Sequence, residues 1–247
     1  MSLLDYTLRI ADSSLISAQR LSEWCSKGPT LEEDIAISNI SLDLFGQANG
    51  FLEYVSELDG NKTVDDFAFK RNEREFFNFK ITEQPNGHFG DTIVKLFLTS
   101  AFNFLFYTKL SGSKNEKLSA LAAKSLKEVK YHLKHSRSWM VRLGDGTEES
   151  NKKIQESLNS LWQFTGEFFE MDKVDTEISK SGLGVNNLSI KEDWNKIINT
   201  TLSESKLIRP KDGYMQTGSK RGIHTEHLGH LLSEMQYLPR AYPDAKW

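Results

Sequence analysis

Residues 91–110, DTIVKLFLTSAFNFLFYTKL, limit the fold more than any other stretch. A helix of that composition has almost no polar face, so other elements must cover it nearly all round. Neighbouring segments have the pattern to do so. Leu4, Leu8, Ala11, Leu15, Ala18 and Cys25 recur at steps of three, four or seven, which predicts an amphipathic helix over about 3–26 with Cys25 buried in its stripe. A second helix, about 31–59, is apolar on most sides. Thr30 caps it, Glu32 and Glu33 sit in its positive first turn, and Asp59-Gly60-Asn61 stops it. Helical spacing also covers about 65–82, 115–143, Thr147 through Phe169, 193–207 and 224–238. Pro29, Pro85 and Pro210 fall between these segments, and period-two alternation is nearly absent. The chain is expected to be all-α, a helix bundle, and a single domain over 1–247, since no repeat, low-complexity tract or Ser/Gly/Pro linker divides it.

Charge and cysteine content narrow the setting. Lys+Arg 31 against Asp+Glu 34 leaves a formal charge of −3, which argues against a surface that grips nucleic acid or anionic lipid. One cysteine cannot form an internal disulfide, which fits a reducing compartment. No apolar run is read as reaching the roughly 18 residues that span a bilayer, and the start, with Asp5, Arg9 and Asp12, lacks the continuous apolar core of a signal peptide. A cytoplasmic protein with no membrane association is expected. Fifteen phenylalanines point to an aromatic-rich core.

The familiar enzyme signatures are missing: no GxGxxG, P-loop, G-x-S-x-G, H-E-x-x-H or C-x-x-C occurs. A bundle rich in carboxylates invites a di-iron reading. That chemistry needs a Glu-x-x-His pair on each of two helices, because residues three apart share a helix face and reach one metal. No Glu-x-x-His is present; the nearest fragments pair Glu128 with Tyr131 and Glu73 with Phe76, while His132 stands four residues after Glu128. Asp43, Glu73, Glu128 and His132 are therefore at most remnants of a metal site. Asn39, Asp43, Gln47 and Gly50 share a face that either points Asp43 inward or runs on through Glu53 and Glu57 into solvent. Asn103, between Phe102 and Phe104, is expected inside, hydrogen-bonded to a polar neighbour. His224, His227 and His230 fan across one side of a helix as a polar packing or interface surface, and Lys220 and Arg221 form an exposed basic turn. RNEREFFN (71–78) mixes Arg and aromatic residues in a way that suits either an extended ligand or a subunit interface.

Six segments carry a resemblance: LDLFGQA (42–48), RNEREFFN (71–78), EQPNGHFGDTI (83–93), EVKYHLKHSRSW (128–139), LGDGTEES (143–150) and GIHTEHLGHLLSEMQYLPRAYP (222–243). In order and spacing they closely resemble the C-subunit family of ring-1,2-phenylacetyl-CoA epoxidases, over the length of the chain. The resemblance implies a ferritin-like helix bundle with additional helices. It also implies a place in a multicomponent monooxygenase that uses O₂ and electrons from a reductase to epoxidise the ring of phenylacetyl-CoA. In that family the catalytic A subunit holds the di-iron centre, and the C subunit is a degenerate paralogue that supports it, with no cofactor and no catalytic residue of its own. Contacts to the CoA ester map by resemblance onto Glu75, Phe76, Phe77 and Asn78, and onto Thr176, Glu177 and Ile178 in the weakly matching segment MDKVDTEIS. The competing reading is an independently active di-iron oxidase with non-standard ligands, using Asp43, Glu73, Glu128 and His132.

Overall fold

The computed structural model describes residues 2–243 and 245, and among them no strand occurs. Of the described residues 74% are helical. By their contacts the residues group into two compact units, Met1–Pro85 with Gly218–Trp247, and Asn86–Thr217. Each unit is built on one pair of long helices, and the fold class is the all-α, ferritin-like one expected, with additional short helices.

In the first unit α1 (Ser2–Ser22) packs along α2 (Leu31–Asp59). Thr30 caps α2 by accepting from the Glu33 amide at 3.4 Å, and Gly60, at φ +77°, ends it in the left-handed region. Ser41 Oγ donates to the Ala18 carbonyl at 2.8 Å, tying the pair together. Short helices α3 (Val64–Phe69), α4 (Lys80–Glu83), α10 (Glu226–Met235) and α11 (Tyr237–Ala241) complete this unit. The expectation of one helix over 65–82 is corrected. α3 stops at Phe69, a 3-10 turn follows at Glu73–Glu75, and Asn72 and Phe76 are extended. The cause is long-range: the Phe77 and Phe79 amides donate to Asp12 and Ser13 of α1 instead of to their own turn. Cys25 is corrected too. α1 ends at Ser22, three residues short of the predicted stripe, so Cys25 lies in a turn and is exposed.

In the second unit α5 (Phe89–Leu110) lies against α6 (Glu116–Gly144), α7 (Glu148–Leu161) and α9 (Lys191–Glu204). α5 is long and apolar enough to cross a membrane, contrary to the reading that no run reaches that length. Here it is a core helix: 61% of its most apolar window is buried, and Trp194 of α9 donates its indole N–H to the Leu98 carbonyl. The core around it is aromatic as expected, with Phe102 stacked on Phe168 at 4.9 Å and Phe169 edge-on to Trp194 at 5.4 Å. Asn103, expected inside, is only half-buried. α6 ends in close approach to α9, where a Cβ on Gly144 would stand 2.2 Å from the Ser205 carbonyl oxygen. The predicted helix through Phe169 ends at Leu161 and tightens to 3-10 geometry over Trp162–Phe169, where Thr165 Oγ1 donates back to the Trp162 carbonyl. The helix α8 (Lys173–Ser181) offers the sequence only one apolar pair at helical spacing, Val174 and Ile178, and only Asp175 and Ile178 are buried in it.

Candidate functional site: a buried carboxylate network

The first unit gathers three of the resemblance segments around two buried carboxylates. Asp12, on α1, falls among the apolar positions Leu8, Ala11 and Leu15 and is fully enclosed. A carboxylate there is tolerable only if paired. Arg71 supplies the pair as a two-pronged guanidinium: one nitrogen donates to Asp12 Oδ2 at 3.0 Å, the other to Oδ1. The Phe77 amide adds a third bond to Oδ2 at 2.9 Å. Arg71 also donates to the Glu75 carbonyl, and its guanidinium carbon lies 4.0 Å from the centroid of the Phe76 ring. One aspartate thus fixes the whole 71–77 segment.

Glu83, at the end of α4, is the second centre, with its side chain and that of His224 both 0% exposed. Its Oε1 accepts from the Thr225 amide at 2.6 Å and from the Thr225 hydroxyl at 2.8 Å. Its Oε2 accepts from Asn78 Nδ2 at 3.0 Å and faces His224 Nδ1 at 2.8 Å. On the other side of the ring, His224 Nε2 lies 2.7 Å from the Phe76 carbonyl. A carbonyl only accepts, so Nε2 carries a proton, and one further proton lies between Nδ1 and Glu83 Oε2. Arg20 of α1 closes the network, donating to the Glu83 carbonyl at 2.9 Å and to the His227 carbonyl at 3.1 Å. Asn78 Oδ1 is buried with no hydrogen-bond partner.

The histidine fan is corrected by this geometry. α10 starts at Glu226, so His224 precedes the helix and turns inward to Glu83, while His230 is exposed. Thr225, which by type would cap α10 with its hydroxyl, spends that hydroxyl on Glu83 and makes no side-chain cap bond. Gly222 makes the approach possible. Its φ is +68°, and a Cβ there would stand 2.1 Å from the Arg74 carbonyl oxygen. Arg240 of α11 donates to the Lys70 and Arg71 carbonyls and Gln236 to the Ala68 and Arg71 carbonyls, so the C-terminal helices cap the end of α3. Lys220 and Arg221 lie in a short 3-10 turn, with Arg221 exposed.

The residues mapped for substrate contact divide by environment. Glu75 is exposed, and its carboxylate accepts from the Asn72 amide at 2.7 Å; Phe77 is half-buried. Phe76 and Asn78 are fully buried inside the network. Thr176, Glu177 and Ile178 belong to α8 in the other unit. There Thr176 Oγ1 donates to the Asp172 carbonyl, Glu177 stands 3.9 Å from Lys173, and Ile178 is buried. The four remnant-site positions also divide: Asp43 (half-buried) and Glu73 (exposed) in the first unit, Glu128 (half-buried) and His132 (buried) on α6 in the second. Gln47 is buried, while Asn39, Glu53 and Glu57 are exposed, so most of that face of α2 is wet. Among the described residues no group of three or more His, Cys, Asp and Glu side chains is placed to hold a metal. The buried carboxylates do not fit such a role either, since the oxygens of Asp12 and Glu83 are taken by protein donors.

Sequence patterning does not mark Asp12 and Glu83 as a pair of centres. The available signal is a charged residue at a core register of α1, and a Glu directly before the Gln84-Pro85 break.

The described residues thus form an all-α fold in which buried polar groups bind the chain's own segments together. Comparison with known proteins is specific. A family model described as phenylacetic acid catabolic protein matches residues 1–247, and the chain belongs to that family. It is 44% identical over 242 residues, 98% of either chain, to the C subunit of 1,2-phenylacetyl-CoA epoxidase from Escherichia coli (strain K12).

Proposed function

We propose that the chain is the structural C-type subunit of a phenylacetyl-CoA epoxidase, cytoplasmic and without metal of its own. It supports a catalytic A subunit that carries the di-iron centre and receives electrons from a reductase. The observation that carries this reading is the saturation of Glu83: the Thr225 amide and hydroxyl, Asn78 Nδ2 and His224 Nδ1 occupy both its oxygens, so this buried carboxylate serves to tie the chain's own segments together. The full-length likeness to a C subunit supplies the identity of the complex. Within it, Glu75 and Phe77 offer side chains to a CoA ester from a loop that Phe76 and Asn78 hold rigid, and the Thr176–Ile178 turn of α8 is the second proposed contact. Rigid support for a partner needs no reacting group, only a surface that keeps its shape.

Mixing tests this. Purified chain and catalytic subunit are expected to form a heteromer stable at micromolar concentration, with epoxidation of phenylacetyl-CoA requiring both. Separate elution of the two, or full turnover by the catalytic subunit alone, would contradict it.

A further inference from the structure

Every charged side chain of α2 is a carboxylate, in a chain whose charges otherwise nearly balance (Lys+Arg 31, Asp+Glu 34). Helix stability does not explain this. Glu57 and Asp59 stand in the last turn, where the helix dipole disfavours negative charge and where α2 has no basic residue of its own. The same helix exposes large apolar side chains: Leu31 is 73%, Ile35 53% and Leu42 65% accessible. They are four and seven residues apart and so lie along one line of the helix, and Glu53, exposed, continues that line eleven residues beyond Leu42. A Cβ on Gly46, next along this face, would meet nothing within 4 Å, which leaves room for close approach. Single exposed apolar residues are ordinary, but an aligned set bordered by charge of one sign marks an interaction surface.

We infer that this face of α2 docks a helix of the partner subunit that presents apolar side chains to Leu31, Ile35 and Leu42 and lysine or arginine to Glu53 and its acidic flank. The inference rests on the subunit role proposed above and names the face that performs it. The apolar half supplies buried area, while the acidic half fixes direction and register and speeds encounter. A two-fold pairing of α2 with α2 of a second copy would set carboxylates against carboxylates if parallel, or against the apolar row if antiparallel, and would bring no base to either, so the charge pattern selects a different, basic partner.

The test uses the full chain and its co-expressed catalytic subunit, with the dissociation constant measured at low and high salt. Ile35→Lys with Leu42→Lys is expected to weaken the complex about 100-fold while leaving the melting temperature unchanged, since both side chains are exposed. Glu53→Lys, a milder variant, is expected to weaken it about 10-fold at low salt and less at high salt. Leu42→Met is expected to retain wild-type affinity. A wild-type complex that Ile35→Lys/Leu42→Lys leaves within threefold of its affinity overturns the inference and leaves the subunit role standing. Failure of the wild-type chain to bind at all removes the subunit role, and the docking face with it. If the double variant abolishes self-association of the chain while sparing the catalytic subunit, the occupant is a second copy and the inference is wrong.

Discussion

Glu83→Ala is expected to lower the melting temperature by about 10 °C, the product of a buried-network loss and the midpoint shift per unit of stability. The substitution leaves the Thr225 amide, Asn78 Nδ2 and His224 Nδ1 facing an empty, dry space in a fully buried site. Removing one member of a buried ionic or hydrogen-bonded set costs about 3–5 kcal/mol, because the groups left behind keep their desolvation penalty. For a chain of this size each kcal/mol moves the midpoint by about 2–4 °C. Glu83→Gln sharpens the test. Its amide oxygen can still accept from Thr225, and its NH₂ can donate to His224 Nδ1, but that NH₂ then faces the Asn78 NH₂. The loss is expected to be less than half that of alanine. Equal melting of wild type and Glu83→Ala, by calorimetry, would show that the network contributes nothing to stability.

Gly222→Ala is expected to have at least as large an effect, by a different mechanism. The left-handed conformation costs a residue with a Cβ about 1–2 kcal/mol. The new Cβ must also clear the Arg74 carbonyl oxygen, which would stand 2.1 Å away, with the carbonyl carbon at 2.8 Å. Both are backbone atoms in a segment anchored by Asp12 and Arg71, so they cannot swing aside as a flexible side chain would. The 219–225 segment has to move instead, drawing His224 and Thr225 off Glu83. A total loss on the order of 4 kcal/mol is expected, among the large values that only a short list of mechanisms produces. Hydrogen exchange distinguishes this from general destabilisation, because the Thr225 amide should lose protection well before the α1 and α2 amides do. Retained protection at Thr225 would contradict the account.

These two predictions rest on contacts that sequence patterning does not encode. The long helices are legible because each follows from one local rule. α2 begins after a Thr cap and ends at Gly60, as expected from Thr30 and Asp59-Gly60-Asn61, and α5 follows from a run with almost no polar face. Local rules fail where a distant group overrides them. The 65–82 segment reads as a helix by its own composition, yet Asp12, more than fifty residues earlier, takes the amide of Phe77 and the guanidinium of Arg71. Cys25 fits a seven-residue step from Ala18, but the helix carrying that step ends first. The histidine spacing likewise predicts a helical fan, while the carboxylate of Glu83 draws His224 out of it. Of the network, Phe76, Phe77 and Asn78 stand out in the sequence as ligand contacts, and only through the resemblance; Phe76 and Asn78 are enclosed there, with Asn78 Nδ2 donating to Glu83. Composition marks Arg71 without giving it a role, since that role depends on Asp12.

On this account the chain supports chemistry it does not perform. Metal content and turnover of the chain purified alone, after loading with ferrous iron, test that claim most directly. The account predicts well under one iron per chain after desalting and no epoxidation of phenylacetyl-CoA with a reductase and O₂. Two irons retained per chain, with product formed in the absence of any other oxygenase subunit, would contradict it.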